Sequence, residues 1–185
     1  AQRNGLAVKC RLPRSLDMSV TGKRHPFENS WRIGFDENGM IQGADITVNG
    51  NCGYSADLSD AIVDRAMFHA DNCYFLPDVE IVSERLKTNT VSATAFRGFG
   101  GPQGMLAIER IVDDVAARLA RDPLSVRLAN LYRPGASETP YAMRVADNIA
   151  PEIIARLRET ARYDARVEEI AAFNAQSPVI KRGIA

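Results

Sequence analysis

The residues of this chain best suited to chemistry are two arginines, a run of glycines and the aromatic rings beside them. The stretch from Thr94 to Gly104, TAFRGFGGPQG, holds four glycines, two phenylalanines and one arginine. Gly98, Gly100 and Gly101 let the backbone turn at positive φ or approach a neighbour closely. Arg97 is a permanently charged, planar donor fork. Phe96 and Phe99 offer flat apolar faces. Pro102 suits the first turn of a following helix. A glycine turn opening onto a helix N-terminus can hold an anion or a phosphorylated cofactor; equally, it can serve only to let a helix pack closely. Arg65 poses a second choice, because helical spacing puts it on one face with Leu58, Ala61 and Ile62, all apolar or small. Such an arginine either reaches out to water and a carboxylate or waits for a ligand. Chemistry alone favours an ion pair with Asp60 or Asp64; the alternative is a buried guanidinium facing a substrate oxygen.

Other chemistries find little support. His25 and His69 are the two histidines, and His69 lies four residues before Cys73, a spacing compatible with a metal on one helix face. Two ligands do not make a site. No spacing singles out a Ser-His-Asp set, no P-loop is present, and Gly98, Gly100 and Gly101 read GxGG rather than the GxGxxG of a dinucleotide fold.

The elements that must position these residues are legible from period and punctuation. Residues 6–12 alternate as a short strand closed by Pro13. Residues 17–24 are polar, with Thr21-Gly22 as a turn. Phe27 to Asp36 alternates, with Trp31, Ile33 and Phe35 on one face. The Asp36-Glu-Asn-Gly39 turn returns the chain into a strand over Met40 to Val48. A loop over 50–55 leads to a helix over 58–69, for which Asp57 and Asp60 offer caps, and Val79 to Thr88 forms a third strand. Beyond Pro102 the period lengthens. Met105, Ile108, Val112, Val115 and Leu119 mark one helix face, and Asp122-Pro123 caps a second helix reaching Tyr132. Residues 135–147 read as an exposed loop. Pro151 opens a third helix that buries Ile154, Leu157 and Ala161, and Asp164 caps a fourth. Strands first and helices later predict an α+β fold: an antiparallel hairpin and short strands, then a helical C-terminal half. Residues 1–185 are expected to be one fragment of a larger domain, mainly β with a short helix over 1–101 and mainly helical over 102–185.

Composition narrows the partners. Twenty-three basic residues balance twenty-three acidic ones, so the chain has no electrostatic reason to seek nucleic acid or an anionic membrane. No apolar run reaches spanning length. Three scattered cysteines give no disulfide framework, and a reducing cytoplasm is the expected setting.

Phe96 to Gln103, FRGFGGPQ, resembles a signature of the molybdenum hydroxylases, and in particular of the molybdopterin-binding large subunit of xanthine dehydrogenases. The resemblance runs collinearly through most of the chain: TGKRHPF over 21–27, the ADLS of 56–59 followed by DRAMFHAD over 64–71, LKTN over 86–89 and VRLANLY over 126–132. It implies hydroxylation of a carbon beside nitrogen in a heterocycle such as hypoxanthine or xanthine. Electrons would pass through iron–sulfur clusters and FAD on other domains or subunits to NAD. Carried onto this chain, Arg65 resembles the catalytic arginine that binds the purine's oxygen and stabilises developing negative charge. Leu58 and Ala61 resemble pocket-lining positions, Phe99 resembles the ring that packs on the substrate, and Arg97 with Gly98 resembles residues beside the molybdenum and its pterin. Aldehyde oxidases of the same family commonly lack the arginine matched by Arg65, so the resemblance favours a purine and overturns the ion-pair reading.

The resemblance also marks what is missing. The family's catalytic glutamate belongs to a GEPP-type segment, a second substrate-binding glutamate to a GFGGKE-type segment, and further cofactor contacts to a GQG-type segment. None occurs in this chain. The chain alone is therefore expected to bind no cofactor tightly, to have no turnover and to present a half-built pocket. Its expected partners are the purine, the remaining segments of the large subunit and an FAD/iron–sulfur subunit, with a homo-oligomer also compatible. An aldehyde or other N-heterocycle hydroxylase is the alternative within the family. A non-catalytic scaffold keeping the fold is the alternative outside it.

Overall fold

The computed structural model describes residues 2–184. It is an α+β arrangement in which three strands carry one helical layer. Strands β1 (Phe27–Phe35) and β2 (Ile41–Gly53) form the expected hairpin, with Trp31 opposite Ile46 and Ile33 opposite Ala44. Asp36 organises the turn: its carboxylate accepts from the amides of Asn38 and Met40, both at 2.9 Å. β2 runs five residues beyond the expected end at Val48. Asn49, Gly50 and Asn51 resemble a turn in composition, but all three pair with β3 (Val79–Lys87), and Asn49 and Gly50 also pair with β1. Gly50 stays small because α2 (Ser59–Phe68) crosses it; a Cβ there would lie 2.5 Å from Val63 Cγ2. β3 joins β2 in parallel, so β2, α2 and β3 form a crossover unit that the reading by period did not foresee.

Helix α3 (Gly101–Leu119) lies on this layer. It buries Ala107, Ile108, Ile111, Val112, Val115 and Ala116 against Ile41, Ile46 and Val48, while Met105, expected on the buried face, is exposed. α4 (Pro123–Ala129) is capped as expected, with Asp122 accepting from the Ser125 amide at 3.2 Å. Asn130, just past its end, is buried and ties α4 to the hairpin: its carboxamide accepts from Ile41 N–H and donates to Gly39 O, both at 2.8 Å.

Several expectations fail for physical reasons. Residues 6–12 are not a strand, since no neighbouring strand pairs with them among the described residues, and Leu6 and Val8 stay exposed. The polar stretch after Pro13 contains the short helix Arg14–Val20, stitched by an Arg14–Asp17 ion pair at 2.8 Å. Asp57 and Asp60 do not cap α2, whose first turn follows Leu58 without a side-chain cap. The 135–147 segment is not wholly exposed: Ala136 and Thr139 are buried, and Thr139 Oγ1 accepts from Met143 N–H at 3.0 Å. Helices Ala150–Thr160 and Tyr163–Gln176 pack on each other and bury no residue fully. Leu157 is exposed, and Ile154 leans on the core together with Ala150. Asp164 does not cap the last helix; it lies inside its first turn and pairs with Arg158 at 2.8 Å.

One buried charge sets a pH dependence. Asp71 is 3% exposed and its Oδ2 has no hydrogen-bond partner among the described residues. Burial pushes its carboxyl up to about 6. Between the ordinary carboxylate range and that value the folded chain keeps a proton that the unfolded chain has lost. Stability therefore falls as pH rises through this window, and the penalty is complete above it. Asp71→Asn is expected to raise stability at neutral pH by about 2 kcal/mol, with the gain vanishing near pH 4. Urea unfolding of both chains at the two pH values checks this; an equal shift at both would contradict it.

Candidate functional site

The site begins with α2. Leu58, its N-cap, and Ala61 and Arg65 on successive turns lie along one exposed side of the helix. Ile62, Val63 and Ala66 turn to the core, so Ile62 does not share that exposed side. The face is held from below by Ser59, which is buried and hydrogen-bonded through Oγ to His25 Nε2 at 2.8 Å. Burial keeps the His25 imidazole below its ordinary range, against the opposing pull of Asp57.

The glycine loop is pressed onto the same helix. Gly98, Phe99 and Gly100 have φ of 92°, 48° and 91°, three successive residues in the left-handed region. A Cβ on Gly100 would fall 1.9 Å from Ile62 O, and one on Gly104 1.9 Å from Ala66 O. These two glycines are therefore small because the backbones of α2 and α3 touch. The contact places Phe99, half-buried and one residue before Gly100, within one residue of the α2 surface. The Gly100 contact thus sets the backbone beside Phe99 on the helix that carries Leu58, Ala61 and Arg65, with Arg97 on the exposed turn leading into it. All but Phe99 are exposed, and together they form an open face rather than a closed cleft. A neighbouring cavity, lined by Tyr54, Ser59, Asp60, Arg85 and Lys87 among others, includes none of the five.

The electrostatics of the face differ from the simple reading of Arg65. Asp60 and Asp64 do not pair with it. Both turn to Arg85 of β3, which forms an ion pair with Asp64 and sits 3.7 Å from Asp60. Arg65 is exposed rather than buried, and no carboxylate pairs with it among the described residues. Its one side-chain bond runs from Nε to His69 Nε2 at 3.3 Å. His69 and Cys73 gather no third ligand, and no group of three metal-ligating acidic, histidine or cysteine side chains occurs among the described residues.

Arg24 is the residue that inspection of the sequence passed over. Its Nη2 donates to Arg97 O at 2.6 Å and its guanidinium lies 4.6 Å from the centre of the Phe96 ring. The Lys23 carbonyl accepts from Thr94 N–H at 2.9 Å, so the 21–25 segment straps the glycine loop along its length. The signal was present in the TGKRH run but carried no meaning without the fold. Arg24→Met is expected to loosen the loop by about 1 kcal/mol and speed amide exchange at 96–100 severalfold, with global unfolding little changed. Unaltered exchange at those amides would show that the strap is idle.

The donor chemistry of the loop suits an anionic, oxygen-rich group. The N–H groups of Arg97, Gly98 and Gly100 have no acceptor among the described residues, and the Arg97 guanidinium is unpaired there. A family profile described as "Molybdopterin cofactor-binding domain" matches residues 1–131. The chain belongs to this family. It is 43% identical over 178 residues to a xanthine dehydrogenase of Drosophila subobscura and 41% identical over 179 residues to a nicotinate hydroxylase of Emericella nidulans. Each alignment takes in 96% of this chain and 13% of the relative. Among solved structures, the aldehyde oxidoreductase of Desulfovibrio gigas superposes with a TM-score of 0.73 at 30% identity, over 85% of this chain and 17% of that one. The chain thus spans about one eighth of the length of the curated relatives it matches. The family agrees with the resemblance carried by FRGFGGPQ. Among the described residues, no helix is long and apolar enough to cross a membrane.

Proposed function

We propose that this chain builds the substrate wall of a molybdenum hydroxylase acting on hypoxanthine or xanthine. The observation that carries the reading is the unpaired guanidinium edge of Arg65, held on the exposed side of the helix that the glycine loop packs against at Gly100, with its neighbouring carboxylates spent on Arg85. A planar donor fork suits a ring oxygen or a carboxylate, and an aromatic ring beside it suits a flat heterocycle.

In this reading Arg65 binds the purine's oxygen and stabilises negative charge that develops on the ring during attack. Phe99 fixes the plane of the ring, and Leu58 and Ala61 limit its position along α2. Arg97, Gly98 and the free loop amides hold the cofactor's edge. The molybdopterin, when bound, supplies the oxygen and accepts the electrons. Those electrons leave for NAD through iron–sulfur clusters and FAD outside this chain. Purine, the remaining large-subunit segments and an FAD/iron–sulfur subunit are the partners, and the cytoplasm is the compartment.

A second reading follows from the nicotinate hydroxylase relative, which is nearly as similar as the xanthine dehydrogenase. The same arginine fork could hold a carboxylate borne on an N-heterocycle. A steady-state comparison of the holoenzyme on xanthine, nicotinate and benzaldehyde decides. The purine reading expects xanthine to have the highest kcat/KM; nicotinate in first place would transfer the assignment, and benzaldehyde in first place would remove it.

A further inference from the structure

We infer that His69 is a positioning residue for Arg65, setting the plane of the guanidinium so that its outer edge faces the ligand. This rests on the reading of Arg65 as the substrate-binding arginine. Arg65 and His69 lie one helical turn apart on α2, and the Arg65 Nε–H donates to His69 Nε2 at 3.3 Å. That bond uses the inner donor of the fork. Nη1 and Nη2 make no bond to a described residue, so the edge able to grip an oxygen or carboxylate bidentately is left unspent. The donation also fixes the histidine: Nε2 must be the unprotonated nitrogen, which places the ring proton on Nδ1.

His69 is itself anchored. It is the C-cap of α2, its backbone N–H is bonded to Arg65 O at 3.1 Å, and its ring lies against the first residue of α3. A Cβ on Gly101 would sit 3.2 Å from His69 Cδ2. The imidazole therefore touches both walls of the site, α2 through Arg65 and the glycine loop through Gly101. A long, exposed arginine without a carboxylate would otherwise sample many rotamers, and ordering it on binding would lower affinity. A histidine acceptor restrains it without neutralising its charge, which an aspartate at the same place would do. Asp60 and Asp64, the two carboxylates close enough in sequence to compete, are held away by Arg85.

The test is a cycle of variants in the holoenzyme, read as kcat/KM on xanthine. His69→Phe keeps a flat ring against Gly101 and removes the acceptor; His69→Gln restores an acceptor. His69→Phe is expected to lower kcat/KM about fivefold to tenfold, mainly through KM, and His69→Gln to recover most of the loss. In an Arg65→Met background His69→Phe is expected to add nothing. If Arg65→Met lowers kcat/KM but His69→Phe does not, the positioning role is wrong and the reading of Arg65 stands. An undiminished His69→Phe loss in the Arg65→Met background would show that the ring acts on its own, and would overturn the inference equally. If Arg65→Met has no effect on xanthine, the reading of Arg65 fails and the inference falls with it.

Discussion

Gly100→Ala is expected to destabilise the chain by about 3–5 kcal/mol, the sum of a steric overlap in a packed contact and a side chain forced to positive φ. The new Cβ would lie 1.9 Å from Ile62 O, a backbone atom that no rotamer change can move, and the residue sits at φ 91°. The helices can respond only by separating, which would lift Phe99 off α2 and dismantle the site together with the core. Gly135→Ala is the matched control. It has φ 83° with nothing within 4 Å of the new Cβ, so it should cost only the backbone share, about 1–2 kcal/mol. Urea unfolding of the two variants separates the effects. Equal midpoints would mean that α2 and α3 do not meet as closely as the structure shows.

That contact changes the meaning of the glycine run. Read as sequence, FRGFGGPQG leaves two uses open, an anion-holding turn or a loop that lets a helix pack closely. Gly100 and Gly104 answer to Ile62 and Ala66, thirty-eight residues away in the chain, so the packing partner is invisible to local pattern. The hairpin was legible because alternation through Trp31, Ile33 and Phe35 and a turn at Asp36–Gly39 are local signals. The last third of β2 was not, because Asn-Gly-Asn is loop-like until two partner strands claim its hydrogen bonds. Residues 6–12 fail the other way: alternation is there, but a strand needs a neighbour to satisfy its backbone, and none is provided among the described residues.

The candidate site divides along the same line. Helical spacing was enough to put Leu58, Ala61 and Arg65 together. It was not enough to choose the partner of Arg65, since Asp60 and Asp64 are the nearest carboxylates in sequence and only Arg85, from β3, takes them out of reach. The contacts of Arg24 with Arg97 and of His25 with Ser59 span 73 and 34 residues, and no local pattern announces them.

Arg65→Met in the holoenzyme is expected to reduce kcat/KM for xanthine by one to two decades, the equivalent of losing a charge-assisted hydrogen bond of about 1.5–3 kcal/mol. Benzaldehyde has no second oxygen for the guanidinium to hold, so its turnover should fall far less. The variant side chain is similar in length and the position is exposed, so folding should be little affected and the contrast between substrates is the informative quantity. Equal losses on both substrates would count against a purine-orienting role and for a general effect on the site.

In the proposed function the α2 face and the glycine loop are two walls of a single substrate pocket. A crystal structure of the holoenzyme with xanthine bound tests it most directly. The prediction is a purine whose oxygen lies within hydrogen-bonding distance of Arg65 Nη1 or Nη2, whose ring stacks on or abuts Phe99, and whose edge passes Leu58 and Ala61. A purine bound without contact to Arg65, or with Phe99 turned away from it, would contradict the claim.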